Sequence, residues 1–252
     1  MNAYTFGISN KFFTQYTTSF EKNRWSAVSA LLYGEQQFLI DQDAVNFVAK
    51  KLKKPYVTVF LKELVFNELL ARDDLEQVLY DPIFEDITKN QKDIIRTASA
   101  ISALNTGGAG PPIRFLVSDD GTNFVDLIKN HQLCWVHEIR NYKLTEVYKS
   151  FEFKVVDDLV QTWQHFYKQM KTYLNNPTAV GRAEIRGEFD RITSIQTGIK
   201  KLDQQLARTR KKMDKLLLFL KYPQLPLHNN LCENDLRERV IKRKISLQNR
   251  SV

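Results

Sequence analysis

Two carboxylates, a histidine–arginine pair and a late basic run are the residues of this chain whose types and spacing could do chemistry. Asp119 closes the apolar run IRFLVS (Ile113–Ser118) and is followed by Asp120. A carboxylate at the end of a buried strand is held at a sheet rim, where it could serve catalysis. The same place suits a turn former or a helix cap. Alternation along a strand would send Asp120 the opposite way. Glu233 follows Asn229 and Asn230. Either asparagine can cap a helix, and Glu233 then falls in its first turns, where a capping-box glutamate is equally at home. His137 and Arg140 belong to CWVHEIR (Cys134–Arg140). They could approach a bound phosphate, Arg140 by paired hydrogen bonds and His137 as a donor. The structural alternative is a packed Trp135 with polar neighbours. Cys134 with His137, and His228 with Cys232, also give the C-x2-H and H-x3-C spacing of a tetrahedral zinc site. Against zinc, Cys134 and His137 fall in a strand-like run. There is no Gly-x-Ser-x-Gly, HExxH or paired CxxC, so serine hydrolysis and metalloprotease chemistry have no support.

The elements that must position these residues can be read from periodicity. YTFGI (Tyr4–Ile8) and FFTQY (Phe12–Tyr16), around Ser9–Lys11, predict a hairpin. NRWSAVSALLY (Asn23–Tyr33) has helical spacing. Residues 41–104 are helical in pattern, with Asp41 as a cap, an interruption at Pro55, and pieces over Leu61–Leu70, Leu75–Tyr80 and Ile94–Leu104. GGAGPP (Gly107–Pro112) is a loop without the ending of a phosphate-cradling one. Ile113–Ser118 predicts a strand, Asn123–Asn130 a short helix and QLCWVH (Gln132–His137) a second strand. That is a βαβ-like order, whose site lies at the carboxyl ends of its strands. From Val155 onward the chain is helical again, broken at Pro177. The near-heptad positions after it suit a helical hairpin arm packed within the chain, or a coiled coil. Gly187 and Gly198 weaken a continuous rod.

Composition bounds the rest. The chain has 252 residues, 43% of them hydrophobic and 12% aromatic. It lacks an apolar run long enough to span a membrane and a recognisable signal peptide. Two cysteines make no disulfide framework, and a reducing cytoplasm is the default. A net charge of +8 fits a polyanion partner or a solvated basic face. The basic residues concentrate in ARTRKKMDK (Ala207–Lys215) and LRERVIKRK (Leu236–Lys244).

Taken together, LVSDDGTNF (Leu116–Phe124), LCWVHEIRNYK (Leu133–Lys143) and PLHNNLCENDLRERVIKRKIS (Pro226–Ser246) resemble the DDE transposases of bacterial insertion sequences. The match is to the insertion sequence sixty-six subgroup, and the three signatures occur in the same order. The resemblance implies an α/β, RNase H-like mixed sheet with large helical insertions, here residues 41–106 and 145–225 of a single domain. It implies transposition of DNA by phosphoryl transfer at two Mg²⁺ ions held by two aspartates and a glutamate. By position, Asp119 matches the second aspartate and Glu233 the glutamate, both as metal ligands. His137, Arg140, Arg237, Arg239, Lys242, Arg243 and Lys244 would lie along the phosphates of the insertion-sequence ends. A cytoplasmic, nucleoid-associated protein with no membrane partner is implied, with self-association left open. The family's first aspartate lies on a first strand ahead of the hairpin, and no acidic residue precedes Glu21 here. The expectation is a fragment shortened at both ends, missing the first strand of the sheet and inactive or severely impaired. Two other readings compete: a non-catalytic DNA-binding remnant, and an interaction protein built on the near-heptad helices.

Overall fold

The computed structural model describes residues 4–9, 14–19, 24–32, 37–65, 68–107 and 113–229. They form two compact units. One takes the residues up to Arg114 together with Thr122–Ile128, the other Phe115–Gly121 together with Lys129–Asn229.

In the first unit, β1 (Tyr4–Ser9) pairs antiparallel with β2 (Thr14–Ser19), Tyr4 opposite Ser19 and Ser9 opposite Thr14. The predicted hairpin is present, with its second strand further along than Phe12–Tyr16; residues 10–13 lie outside the described set. Five helices follow: α1 (Arg24–Leu31), α2 (Gln42–Leu52), α3 (Pro55–Glu63), α4 (Arg72–Leu79) and α5 (Lys89–Thr106). Their ends are set locally. The Asp41 carboxylate accepts the Ala44 N–H at 2.8 Å and starts α2. Pro55 opens α3 at its first position, where a missing N–H costs nothing. Thr88 and Gln91 form a reciprocal capping box on α5, and Gly107, at φ 97°, ends it in the left-handed region. Val45, Val48, Val57, Leu61, Leu75, Leu79, Phe84 and Ile95 are buried as the core. The Arg96 guanidinium grips both Glu76 carboxylate oxygens at 2.7 Å, joining α5 to α4.

The expected helix over Leu61–Leu70 is corrected: α3 stops at Glu63, and Leu70 pairs with Phe38 in an isolated antiparallel bridge. The expected helix over Asn123–Asn130 is corrected as well. Only Thr122–Phe124 is helical, as one 3₁₀ segment, and Asp126 adopts φ 59°, which a continuing helix does not accommodate.

The second unit holds the parallel pair. β3 (Leu116–Ser118) and β4 (His131–Leu133) align Leu116 with His131 and Ser118 with Leu133. Then come α6 (Trp135–Lys143), α7 (Ser150–Asn175), α8 (Ala179–Thr193), α9 (Lys200–Lys211) and the single turn α10 (Met213–Leu216). Pro177 sits in the α7–α8 break as expected, and Gly198, at φ 73°, in the α8–α9 link. The near-heptad stripe is spent inside the chain: Ile185, Phe189, Ile192, Leu202, Leu206 and Leu216 are buried. Trp135 is fully buried at the centre, its ring 5.7 Å from Trp163, 5.5 Å from Phe166 and 6.1 Å from Phe189.

The expected strand Gln132–His137 is corrected here. β4 ends at Leu133, Cys134 is extended, and a helix begins at Trp135. Trp135, Glu138, Ile139 and Tyr142 are its buried positions, a helical repeat that a short apolar run read alone does not reveal.

Helices therefore dominate, and among the described residues the strands pair two by two. The parallel pair with helices around it is α/β in character. No helix among the described residues is long and apolar enough to cross a membrane.

Candidate functional site

The site is built at the carboxyl end of β3. Asp119 is the first residue beyond that strand and is half-buried. Its Oδ1 accepts the Gly121 N–H at 3.1 Å, closing a tight acidic turn. Oδ2 makes no hydrogen bond to protein among the described residues. The turn-former reading is thus true of one oxygen and leaves the other open. The Ser118 hydroxyl fixes the backbone behind it, donating to the Asp119 carbonyl at 2.7 Å. Since that uses its only proton, the Nε2–H of buried His131 donates to Ser118 Oγ at 2.8 Å.

Cys134 and Trp135 join two distant parts of the sequence at this edge. The Cys134 N–H donates to the Ser118 carbonyl at 2.8 Å, next to Asp119. The Trp135 N–H donates to the Leu227 carbonyl at 2.9 Å, in the segment that runs on toward Glu233. Two flanking bonds hold that segment and the end of α10. The Gln132 amide reaches the Pro226 carbonyl at 2.5 Å, and the Trp135 indole N–H reaches the Leu216 carbonyl at 2.9 Å. Consecutive N–H groups at the start of α6, whose own helix cannot use them, thereby fasten both chain segments that the sequence nominated.

The other nominated residues divide clearly. His137 and Arg140 lie on α6, just beyond β4 and one turn apart; His137 is half-buried and Arg140 exposed. Glu233, Arg237, Arg239, Lys242, Arg243, Lys244 and Cys232 lie outside the described residues, as does the predicted cap Asn230. Cys134 is buried as the residue that starts α6. Among the described residues no three His, Cys, Asp or Glu side chains converge as a metal group.

Sequence reading missed a polar chain that leads to this turn. Lys212, where α9 gives way to α10, places its ammonium 2.5 Å from Glu138 Oε2 and 3.1 Å from Asp120 Oδ2. The Thr209 hydroxyl donates to Glu138 Oε1 at 2.5 Å. Tyr142 then donates to Thr209 Oγ1, also at 2.5 Å. Burial holds the Tyr142 phenol far above its ordinary titration range. The signal was a charged residue on a buried helical stripe, visible only once CWVHEIR is read as helix.

The chain matches the family described as Transposase IS66 family over residues 96–252. It is 30% identical over 251 residues to the uncharacterized protein y4jO of Sinorhizobium fredii (strain NBRC 101917 / NGR234), covering 96% of this chain and 75% of that protein. No solved structure matches. The chain belongs to the IS66 transposase family. Membership ties it to transposition of an insertion sequence and to DNA as its partner.

Proposed function

We propose that the chain carries part of a DDE-type transposase centre, with Asp119 and Glu233 as carboxylate ligands of Mg²⁺ on an RNase H-like core. The observation that supports this most is the double fastening at α6. Successive N–H groups bind the strand end bearing Asp119 and the segment leading to Glu233. The donor chemistry fits the metal. Mg²⁺ takes one or two protein carboxylates and keeps waters and phosphate oxygens as its remaining ligands. Asp119 offers a hard oxygen, Oδ2, that no hydrogen bond among the described residues uses. Bound there, the metal would supply charge stabilisation to an in-line phosphoryl transfer. The protein's part is to hold Asp119 rigidly through Ser118, Gly121 and the β3–β4 ladder. Arg140, exposed on α6, would grip a DNA phosphate, with His137 as a second donor. Arg237, Arg239, Lys242, Arg243 and Lys244 would follow the backbone of the insertion-sequence ends and add salt-dependent affinity.

Residues 1–252 supply two of the three carboxylates that the resemblance implies. A polypeptide of these residues alone is therefore proposed to bind DNA and to process it weakly or not at all. The test uses labelled duplexes ending in the element's terminal sequences, with Mg²⁺. The expected result is salt-sensitive binding, weakened by the paired change Lys242→Glu and Arg243→Glu, with strand transfer at background. Robust strand transfer by the 252-residue chain would contradict its proposed inactivity. Mn²⁺ affinity unchanged by both Asp119→Asn and Glu233→Gln would contradict the metal assignment.

A further inference from the structure

We infer that Lys212 is a positioning residue for Asp119, and that Glu138 is the buried anchor it works from. This rests on the reading of Asp119 as a metal ligand.

Three observations carry it. First, the Lys212 ammonium joins two carboxylates of opposite character. The Glu138 side chain is 3% exposed and the Asp120 side chain 49%, with Lys212 between them at 18%. Second, the anchor is satisfied on both oxygens. Thr209 donates to Oε1 and Lys212 to Oε2, and Tyr142 closes the chain behind Thr209. A carboxylate so bonded is held in one orientation. Third, the tethered residue belongs to the acidic turn itself, next to Asp119 and ahead of Gly121. A buried ion pair is a poor way to gain stability, since a packed apolar pair does as well or better. Its retention here has a use if the ammonium's remaining hydrogen-bonding capacity is aimed at Asp120. α6 and the end of α9 then set the turn, and the turn sets the open oxygen of Asp119.

The charge gives the test its sign. Removing the ammonium and the Glu138 carboxylate together leaves the net charge as it was, so charge alone predicts little change in metal binding. A positioning role predicts a loss. The comparison uses the 252-residue chain, amide hydrogen exchange across Asp119–Gly121 and Mn²⁺ titration. The variants are Asp120→Asn, Lys212→Arg, and Lys212→Met combined with Glu138→Gln, which leaves no buried charge unpaired. Exchange in the turn should quicken about tenfold in Asp120→Asn and in the double variant, and stay near normal in Lys212→Arg. Mn²⁺ affinity should fall several-fold in the double variant, whose net charge is unchanged, and be preserved in Lys212→Arg. Unchanged exchange in a folded Asp120→Asn protein overturns the tether. So does Mn²⁺ affinity that stays the same or rises in the double variant. Asp119→Asn separates the two readings. If it leaves Mn²⁺ binding untouched, the metal assignment fails and the positioning role falls with it, whatever the exchange shows. If it abolishes binding while the tether variants behave as the parent, the tether alone is wrong.

Discussion

In each unit the described residues include a close ion pair that ties helices together, and the two pairs have different surroundings. In the first unit Arg96 and Glu76 meet at the rim, 22% and 26% exposed, with Asp93 adding a second carboxylate on the same helix. In the second unit Lys212 and Glu138 meet inside, with Glu138 3% exposed. The rim pair is a planar two-point grip that water already screens, and Arg96 continues from it to exposed Asp93, one turn away on its own helix. The inner pair is continued at both ends, by Thr209 and Tyr142 toward the core and by Asp120 toward the acidic turn. A charge kept in the interior and wired to a surface turn points to a role in the site, whereas a charge at the rim needs only a structural reason.

The comparison can be broken most forcefully in the second unit. Trp135→Ala removes the ring around which Trp163, Phe166 and Phe189 pack, and its indole bond to Leu216. It should cost about 3–5 kcal/mol in urea unfolding and loosen both fastened segments. Lys212→Met alone strands the Glu138 carboxylate and should cost about 3–5 kcal/mol, most of it recovered when Glu138→Gln is added. The matching change in the first unit, Arg96→Met, should cost only about 1 kcal/mol, with little recovery from Glu76→Gln. Equal costs for the two single changes would erase the distinction between the pairs.

Much of the helical pattern was legible because it depends on short-range signals. Asp41 caps as read, the α7–α8 break falls at Pro177, and the stripe from Ile185 to Leu216 faces inward. What failed had no such signal. QLCWVH has the apolar density of a strand, and only the burial of Glu138, Ile139 and Tyr142 beyond it shows that the helix starts at Trp135. Asn123–Asn130 carries helix-compatible residues, but Asp126 takes a left-handed conformation that no periodicity announces. Asp119 could be nominated because a strand end concentrates function. The Lys212 contact could not, since Lys212 and Asp120 are far apart in sequence and meet only through the packing of α6 against α9.

The smallest expected effects are in pH dependence, and they differ by unit. Arg96 holds the Glu76 carboxyl below its ordinary value of 4.5. Its contribution is therefore present above that value and is lost as pH falls through the lowered one. Glu76→Gln should flatten the acid limb of a melting-temperature profile. Burial holds the Tyr142 hydroxyl above its ordinary value of 10.0. That contribution is complete below pH 10.0 and is lost as pH rises beyond it, because the unfolded phenol ionises first. Tyr142→Phe should flatten the alkaline limb and leave the acid limb as it was.

The central proposal is that Asp119 and Glu233 are both metal ligands. Fe²⁺ in place of Mg²⁺, with ascorbate and peroxide, generates hydroxyl radicals that cut the polypeptide next to the bound ion. Mapping the cuts in the 252-residue chain by mass spectrometry tests the claim most directly. The account predicts two cleavage clusters, one around residues 117–121 and one around 231–235, both suppressed by excess Mg²⁺, the first lost in Asp119→Asn and the second in Glu233→Gln. Cleavage at only one of the two segments, or cuts indifferent to these substitutions, would contradict it.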